Sequence, residues 1–155
     1  MTDIERLIAL EAIRHLKARR DHAVDRKDWD LYAELHSDDY LAESVGDKPV
    51  IGGRAVADLL KLRMAHITTV HHSHTPVIEF QDADHATGVW AMEDNLFWKT
   101  NGEPQWLRGF GFYHERYVKK DGRWLFCYRR LERTHVETSP GAASMRVDKS
   151  GEKNG

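Results

Sequence analysis

Three groups of side chains in this chain could do chemistry: Asp25 near the end of an amphipathic stretch, the run His71-His72-Ser73-His74, and the pair Arg129-Arg130. An imidazole has a free-solution pKa of about 6.5, so it can take a proton from carbon at neutral pH, and a carboxylate beside it fixes the ring and stabilises the imidazolium that forms. In a strand, His71 and Ser73 share one face while His72 and His74 share the other, so the two pairs cannot line one pocket. His72 and His74 could reach a common ion, but no HExxH-type partner or paired Asp supplies a third ligand, and no metal is expected. The plain alternative for this run is a polar strand with one or two partly buried imidazoles. Asp25 has a plain alternative too, as a solvated helix end, and Asp21, Asp28 and Asp30 read as solvated in the same way. On a helical projection Asp25 falls near Asp21 and away from the Ile13 and Leu16 stripe, so only the chain geometry after the helix can turn it inward. Arg129 alternates with Cys127 and Leu131, whereas Arg130 shares its face with Phe126 and Tyr128. Whichever arginine points inward needs an acidic group or an anionic ligand, because a buried unpaired guanidinium is costly.

The elements that must position these groups can be read from capping and period. Thr2-Asp3-Ile4-Glu5 reads as a capping box, and Ile4, Leu7, Ile8, Ile13, Leu16 and Val24 recur at helical spacings, which predicts one long helix to about Asp25. Asp28 caps a short second helix, Tyr40 to Val45 reads as a strand, Gly46 to Pro49 as a turn, and Arg54 to His66 as a third helix. After His66 the period becomes alternating. Four long strands are predicted, Thr68 to Phe80, His85 to Thr100, Gln105 to Lys119 and Arg123 to Glu137, with hairpin turns at Asn101-Gly102 and Asp121-Gly122. Helices followed by an antiparallel meander indicate an α+β fold. Accumulated twist, with Gly88, Gly109 and Gly111 where bulges can form, bends such long strands into a cone that the N-terminal helices close around a pocket. Residues 1–137 form one domain in this reading, and 138–155, poor in apolar residues, form a flexible tail.

Composition narrows the partners. The chain has 155 residues, 41% of them hydrophobic, which suits one core. A formal net charge of −2, from 23 basic and 25 acidic residues, gives no basic footprint for nucleic acid. No run approaches the ~18 apolar residues of a membrane span, and the acidic start is unlike a secretory signal, so a cytoplasmic protein is expected. Cys127 is the single cysteine, which rules out an internal disulfide.

The segments Asp25-Arg26-Lys27-Asp28-Trp29-Asp30, Thr69-Val70-His71 and Lys120-Asp121-Gly122-Arg123-Trp124-Leu125-Phe126 together resemble the SnoaL-like branch of the nuclear transport factor 2-like superfamily, from about Ile4 to Thr134. Within that branch the chain is similar to scytalone dehydratase and hexachlorocyclohexane dehydrochlorinase. The resemblance implies a lyase without cofactor, of dehydratase or dehydrohalogenase type, acting on a small hydrophobic cyclic or aromatic molecule. It assigns Asp25 and His71 to an acid-base dyad and Arg129, with Arg20, to stabilising developing negative charge. Isomerisation or carbon–carbon cleavage are variants of the same chemistry. Val24 and Tyr113 stand where scytalone dehydratase has tyrosine and asparagine, and Arg20 where the dehydrochlorinase has lysine. Trp90, Trp98, Phe110, Phe112 and Tyr113, with Val24, are expected to line the pocket. The resemblance also implies a homo-oligomer, a trimer ahead of a dimer. Since members of the superfamily include adaptors, the alternative is a non-catalytic ligand-binding or protein-docking module of the same fold.

Overall fold

The computed structural model describes residues 1–43 and 48–142. Its first element is α1 (Asp3–Arg26), opened by the expected capping box: Thr2 accepts from the Glu5 N–H and the Glu5 carboxylate takes the Thr2 N–H. Lys27 closes the helix in the left-handed region, at φ 62°. Asp28 then caps α2 (Trp29–Glu34) by accepting from the Leu31 N–H. The next strand is β1 (His36–Ala42), four residues earlier than Tyr40 because α2 stops at once and the chain is already extended at His36. Val45 and the turn residues Gly46 and Asp47 lie outside the described residues. A short β2 (Val50–Ile51) and α3 (Gly53–Met64) follow, then β3 (Thr68–Phe80), β4 (His85–Thr100), β5 (Glu103–Lys120) and β6 (Arg123–Thr138).

The fold is α+β: one curved, unclosed six-stranded sheet of order β2-β1-β6-β5-β4-β3, with the N-terminal helices against its inner face. Strands β3 to β6 form the antiparallel meander, whereas β1 joins β6 in parallel and β2 pairs antiparallel to β1. Both residues of each hairpin turn need positive φ, which Asn101-Gly102 (52° and 84°) and Asp121-Gly122 (50° and 75°) supply. Pro76 is tolerated because β3 is an edge strand and the register slips between Ser73 and Pro76.

A second slip decides which arginine turns inward. Tyr117 pairs with Phe126 and Arg116 with Tyr128, so Cys127 is an extra, bulged residue in β6. The alternation therefore resets, and Phe126 and Arg129 are both buried on the inner face although strict alternation would part them. The main core joins Ile13, Leu16, Val24, Tyr32, Tyr40, Val56, Trp90, Met92, Tyr113 and Phe126. A smaller cluster of Ile67, Leu96 and Leu107, with Trp98 against it, fills the other end. Ser139 and Ala142, beyond β6, are buried, with Ser139 Oγ donating to Gln105 at 2.7 Å; the rest of the expected tail, 143–155, lies outside the described residues. Among the described residues no helix is long and apolar enough to cross a membrane.

Candidate active site

Helix α1 runs antiparallel to edge strand β3, and their periods match. Four helical residues advance about 6 Å and two strand residues about 6.7 Å, so Asp21 and Asp25 meet Ser73 and His71 rung for rung. Ser73 Oγ donates to Asp21 Oδ2 at 2.6 Å, and His71 Nδ1 lies 2.6 Å from Asp25 Oδ1. Asp25 is held at two further points: its Oδ2 accepts from the His71 backbone N–H at 2.9 Å and its Oδ1 accepts from Thr69 Oγ1 at 2.9 Å, while Lys27 Nζ donates to that hydroxyl at 3.0 Å. Burial by itself raises the Asp25 pKa, but the hydrogen bonds from the His71 ring and backbone, the imidazole charge and Thr69 outweigh it and hold the carboxyl below its ordinary range. An ionised Asp25 only accepts, so Nδ1 carries a proton, and in the neutral ring Nε2 keeps its lone pair. Among the described residues no protein group bonds Nε2. The His71 side chain is 7% exposed, which shields it from bulk water.

Behind this pair the inner face is densely charged. Arg20 bonds Asp21 at 3.0 Å; Lys17 Nζ donates to Glu115 at 2.5 Å; Tyr117 Oη donates to the other Glu115 oxygen at 2.5 Å and accepts from Trp90 Nε1 at 2.7 Å. Arg129 turns inward and its Nε stands 3.6 Å from Glu115, an ion pair beyond hydrogen-bond reach. Lys17 Nζ and Arg129 Cζ each lie 4.0 Å from the centroid of the Tyr113 ring, with Arg20 Cζ at 5.9 Å. Arg20 Nε, Arg129 Nε and Tyr40 Oη are sealed from solvent without a hydrogen-bond partner among the described residues. Opposite His71 in register stands Asp94, gripped by Arg133 through two bonds of 2.8 and 2.6 Å. Gly109 makes this possible, since a Cβ there would sit 1.6 Å from the Arg133 guanidinium. The Asp21 carboxyl lies at about 2: burial opposes its ionisation, and Lys17, Arg20, Ser73 and His71 overcome it.

This last value fixes a pH dependence. A carboxylate whose folded pKa is depressed contributes stability above its unfolded pKa and loses it as pH falls through the folded value. For Asp21 that window runs from its ordinary 3.8 down to about 2. The contribution is on the order of 2 kcal/mol. Urea melts of Asp21→Asn should therefore show a shallower acid limb than the parent across that window; parallel limbs would show that Asp21 is not held ionised.

The expected site residues separate into those that converge and those that do not. Asp25 and His71 are in contact, and Arg20, Val24, Trp90, Tyr113 and Arg129 are buried on the same inner side. Phe110 and Phe112 require correction. They alternate with buried Leu107, Gly109, Gly111 and Tyr113 along β5, so they face outward; Phe112 is 39% exposed and Phe110 packs near His135. Residues 112 and 113, adjacent in a strand, cannot both line one pocket. Trp98 has inward parity but belongs to the smaller cluster at the far end of β4. Asp21 is also not solvated: it is 4% exposed, and its wheel position beside Asp25 was the signal that both meet β3. Asp28 is the α2 cap and Asp30 an exposed partner of Arg54. Lys17, Asp94, Glu115 and Arg133 were not foreseen, and Ser73, expected on the His71 face, had been given no partner. His72 and His74 face outward and share Glu93 at 3.3 Å each, a carboxylate the linear sequence places far from them. Among the described residues no group of three such side chains is arranged to hold a metal ion.

The SnoaL-like domain family matches residues 5–130. The chain belongs to that family. Among solved structures, this SnoaL-like chain is similar to hexachlorocyclohexane dehydrochlorinase LinA-type3 from Novosphingobium barchaimii LL02, at 20% identity and TM-score 0.78, over 90% of this chain and 96% of that one. A scytalone dehydratase-like protein from Novosphingobium aromaticivorans DSM 12444 matches at 20% identity and TM-score 0.78, over 88% and 91% of the two chains. The protein of unknown function Rv3472 from Mycobacterium tuberculosis matches at 27% identity and TM-score 0.72, over 86% and 76%. These likenesses agree with the nuclear transport factor 2-like architecture of a SnoaL-like domain.

Proposed function

We propose that this SnoaL-like protein is a cofactor-independent lyase in which His71 is the base and Asp25 its partner. The observation that carries the reading is the clamped contact of 2.6 Å between Asp25 Oδ1 and His71 Nδ1, which leaves Nε2 as a lone-pair base. The substrate is a small hydrophobic cyclic or aromatic molecule, set against Val24, Trp90 and Tyr113. Nε2 removes a C–H proton, the C–H electron pair becomes the new double bond, and the leaving group departs with its electrons. Asp25 stabilises the imidazolium, while Arg129 and Arg20, whose buried Nε donors lack hydrogen-bond partners among the described residues, stabilise the negative charge that grows at the other end. In this reading opposite charges flank the reacting group before the reaction begins. A thermal-shift screen of aromatic and terpenoid-like compounds identifies ligands, since those that bind the folded state raise its melting temperature. Turnover of the hits by the parent and by His71→Ala then tests the role of the pair.

Two further expectations belong to this reading. Turnover should survive dialysis against a chelator, because His71 and Asp25 supply the base and its partner without an ion; loss of activity on chelation and its return with zinc would replace this chemistry by a metal-centred one. The outer sheet face carries Val77, Val89, Phe97 and Phe112, all at least 36% exposed. Exposed apolar surface of this kind marks interfaces, so a homo-oligomer, with a trimer favoured, is expected by light scattering at micromolar concentration. A monomer there would count against it.

A further inference from the structure

A lysine at the end of a helix ordinarily lies against the last carbonyls or in solvent. Lys27 is placed otherwise. It holds the left-handed conformation, φ 62°, that favours glycine, and its ammonium crosses to β3, donating to Thr69 Oγ1 at 3.0 Å with the Trp29 ring centroid 5.9 Å away. Thr69 is buried and has one hydroxyl proton, which goes to Asp25 Oδ1 at 2.9 Å, so the ammonium is met by the oxygen's lone pair. Nζ–H to Oγ1 and Oγ1–H to Oδ1 form one directed line that ends on the oxygen receiving His71 Nδ1–H. Each donor in such a line polarises the next. The other charged groups nearby are engaged elsewhere: Asp21, one turn back on α1, by Ser73 and Arg20, and Asp94, opposite His71 on β4, by Arg133 of β6, while Arg26 is exposed. The charges that answer the Asp25 carboxylate are thus His71 and, across Thr69, Lys27. Burial lowers the Lys27 pKa while Asp25 opposes the fall, and the same attraction favours the ionised carboxyl in return.

We propose that Lys27 is a positioning residue for the candidate base: through Thr69 it fixes the charge and orientation of Asp25, so that this carboxylate accepts from His71 without taking its proton. The inference rests on the lyase reading and deepens it. When Nε2 takes the C–H proton the ring becomes an imidazolium, and its Nδ1–H then points at a carboxylate oxygen only 2.6 Å away. A cation behind that carboxylate makes it a weaker base, so the proton stays on nitrogen and the charge pair persists. Lys27 itself exchanges no proton in the step. The same arrangement accounts for a side chain being kept where glycine would relieve the backbone.

The test titrates the Asp25 carboxyl by NMR of protein labelled at the aspartate Cγ, the signal being assigned by its loss in Asp25→Asn. No substrate is needed. In Lys27→Met, which keeps an apolar stem beside Trp29, the acid constant of Asp25 should fall about 3- to 10-fold, the low end for an opposite charge at this range because Lys27 is partly exposed. Thr69→Val should lower it as well, and Lys27→Met should add little in that background, since both act along one line. Lys27→Arg should keep the parent value, as should Lys99→Met at an exposed position of β4. Lys27→Gly separates position from stability: it relieves the positive φ and should melt above Lys27→Met, yet it should give the same acid constant. An unchanged constant in Lys27→Met, full additivity with Thr69→Val, or return of the parent constant in Lys27→Gly would each overturn the proposal. Because these readings need no turnover, a Lys27-dependent constant alongside undiminished turnover in His71→Ala would overturn the base assignment and leave the hold of Lys27 on Asp25 standing.

Discussion

Replacing His71 with alanine should lower the chemical step by about 10²- to 10⁴-fold, the usual contribution of a positioned general base, while ligand affinity changes little. Asp25→Asn keeps the shape of the carboxylate but removes the charge that stabilises imidazolium and fixes the Nδ1–H tautomer. It should also impair turnover, and its effect should not add to that of His71→Ala, because the two residues act through one proton. Arg129→Ala should weaken both binding and turnover, since a guanidinium facing growing negative charge acts more strongly in the transition state than before it. His72→Ala and His74→Ala test the choice of face: both rings point outward to Glu93, and their loss should leave the rate near that of the parent. Near-normal turnover in His71→Ala, or a larger loss in His72→Ala, would mean that the wrong histidine bears the chemistry.

The histidine face was legible because a strand has a period of two. One side of β3 must differ from the other, and the only open question was which side met the helix. The long elements were legible for a similar reason: a capping box, two hairpin turns with residues suited to positive φ, and a change of period at His66 each act locally. What escaped was set by contacts between distant segments. Asp21 read as solvated because a helical wheel shows a polar stripe but not the strand that covers it, and Ser73 is fifty-two positions away. Phe126 and Arg129 share a face only because Cys127 is bulged out, and a bulge in β6 depends on its pairing with β5. Phe110, Phe112 and Tyr113 were assigned to one pocket on aromatic character, against the alternation that separated His71 from His72. Glu115 had no local signal at all, since a glutamate in an alternating strand looks the same whether it meets water or Lys17.

Glu115→Gln is expected to be the most destabilising of the single changes considered, although it removes no volume and lies away from the proposed base. Its carboxylate is buried and answers two cations, Lys17 at 2.5 Å and Arg129 at 3.6 Å, while accepting from Tyr117. Removing one partner from a buried ion pair leaves the other charge uncompensated, at a cost of about 3–5 kcal/mol. The pH dependence identifies the cause. Burial lowers the Lys17 pKa from 10.5 to about 8, with Glu115 opposing the fall. Between those values the unfolded chain binds more protons than the folded one, so the Lys17 contribution makes stability rise with pH across that window. Without Glu115 the folded pKa drops further and the window opens downward. Glu115→Gln should thus be destabilised most below its lowered Lys17 pKa and should recover relative to the parent as pH rises from there to about 8, above which the two limbs run parallel, measured by urea melts from acidic to alkaline pH. Lys17→Met in the same background should restore much of the loss at neutral pH, because the stranded ammonium is then gone. A variant within about 1 kcal/mol of the parent at neutral pH, against the expected several, would mean that Glu115 does not hold Lys17 and Arg129 in place, and the ordered cationic end proposed to receive the leaving group would lose its support.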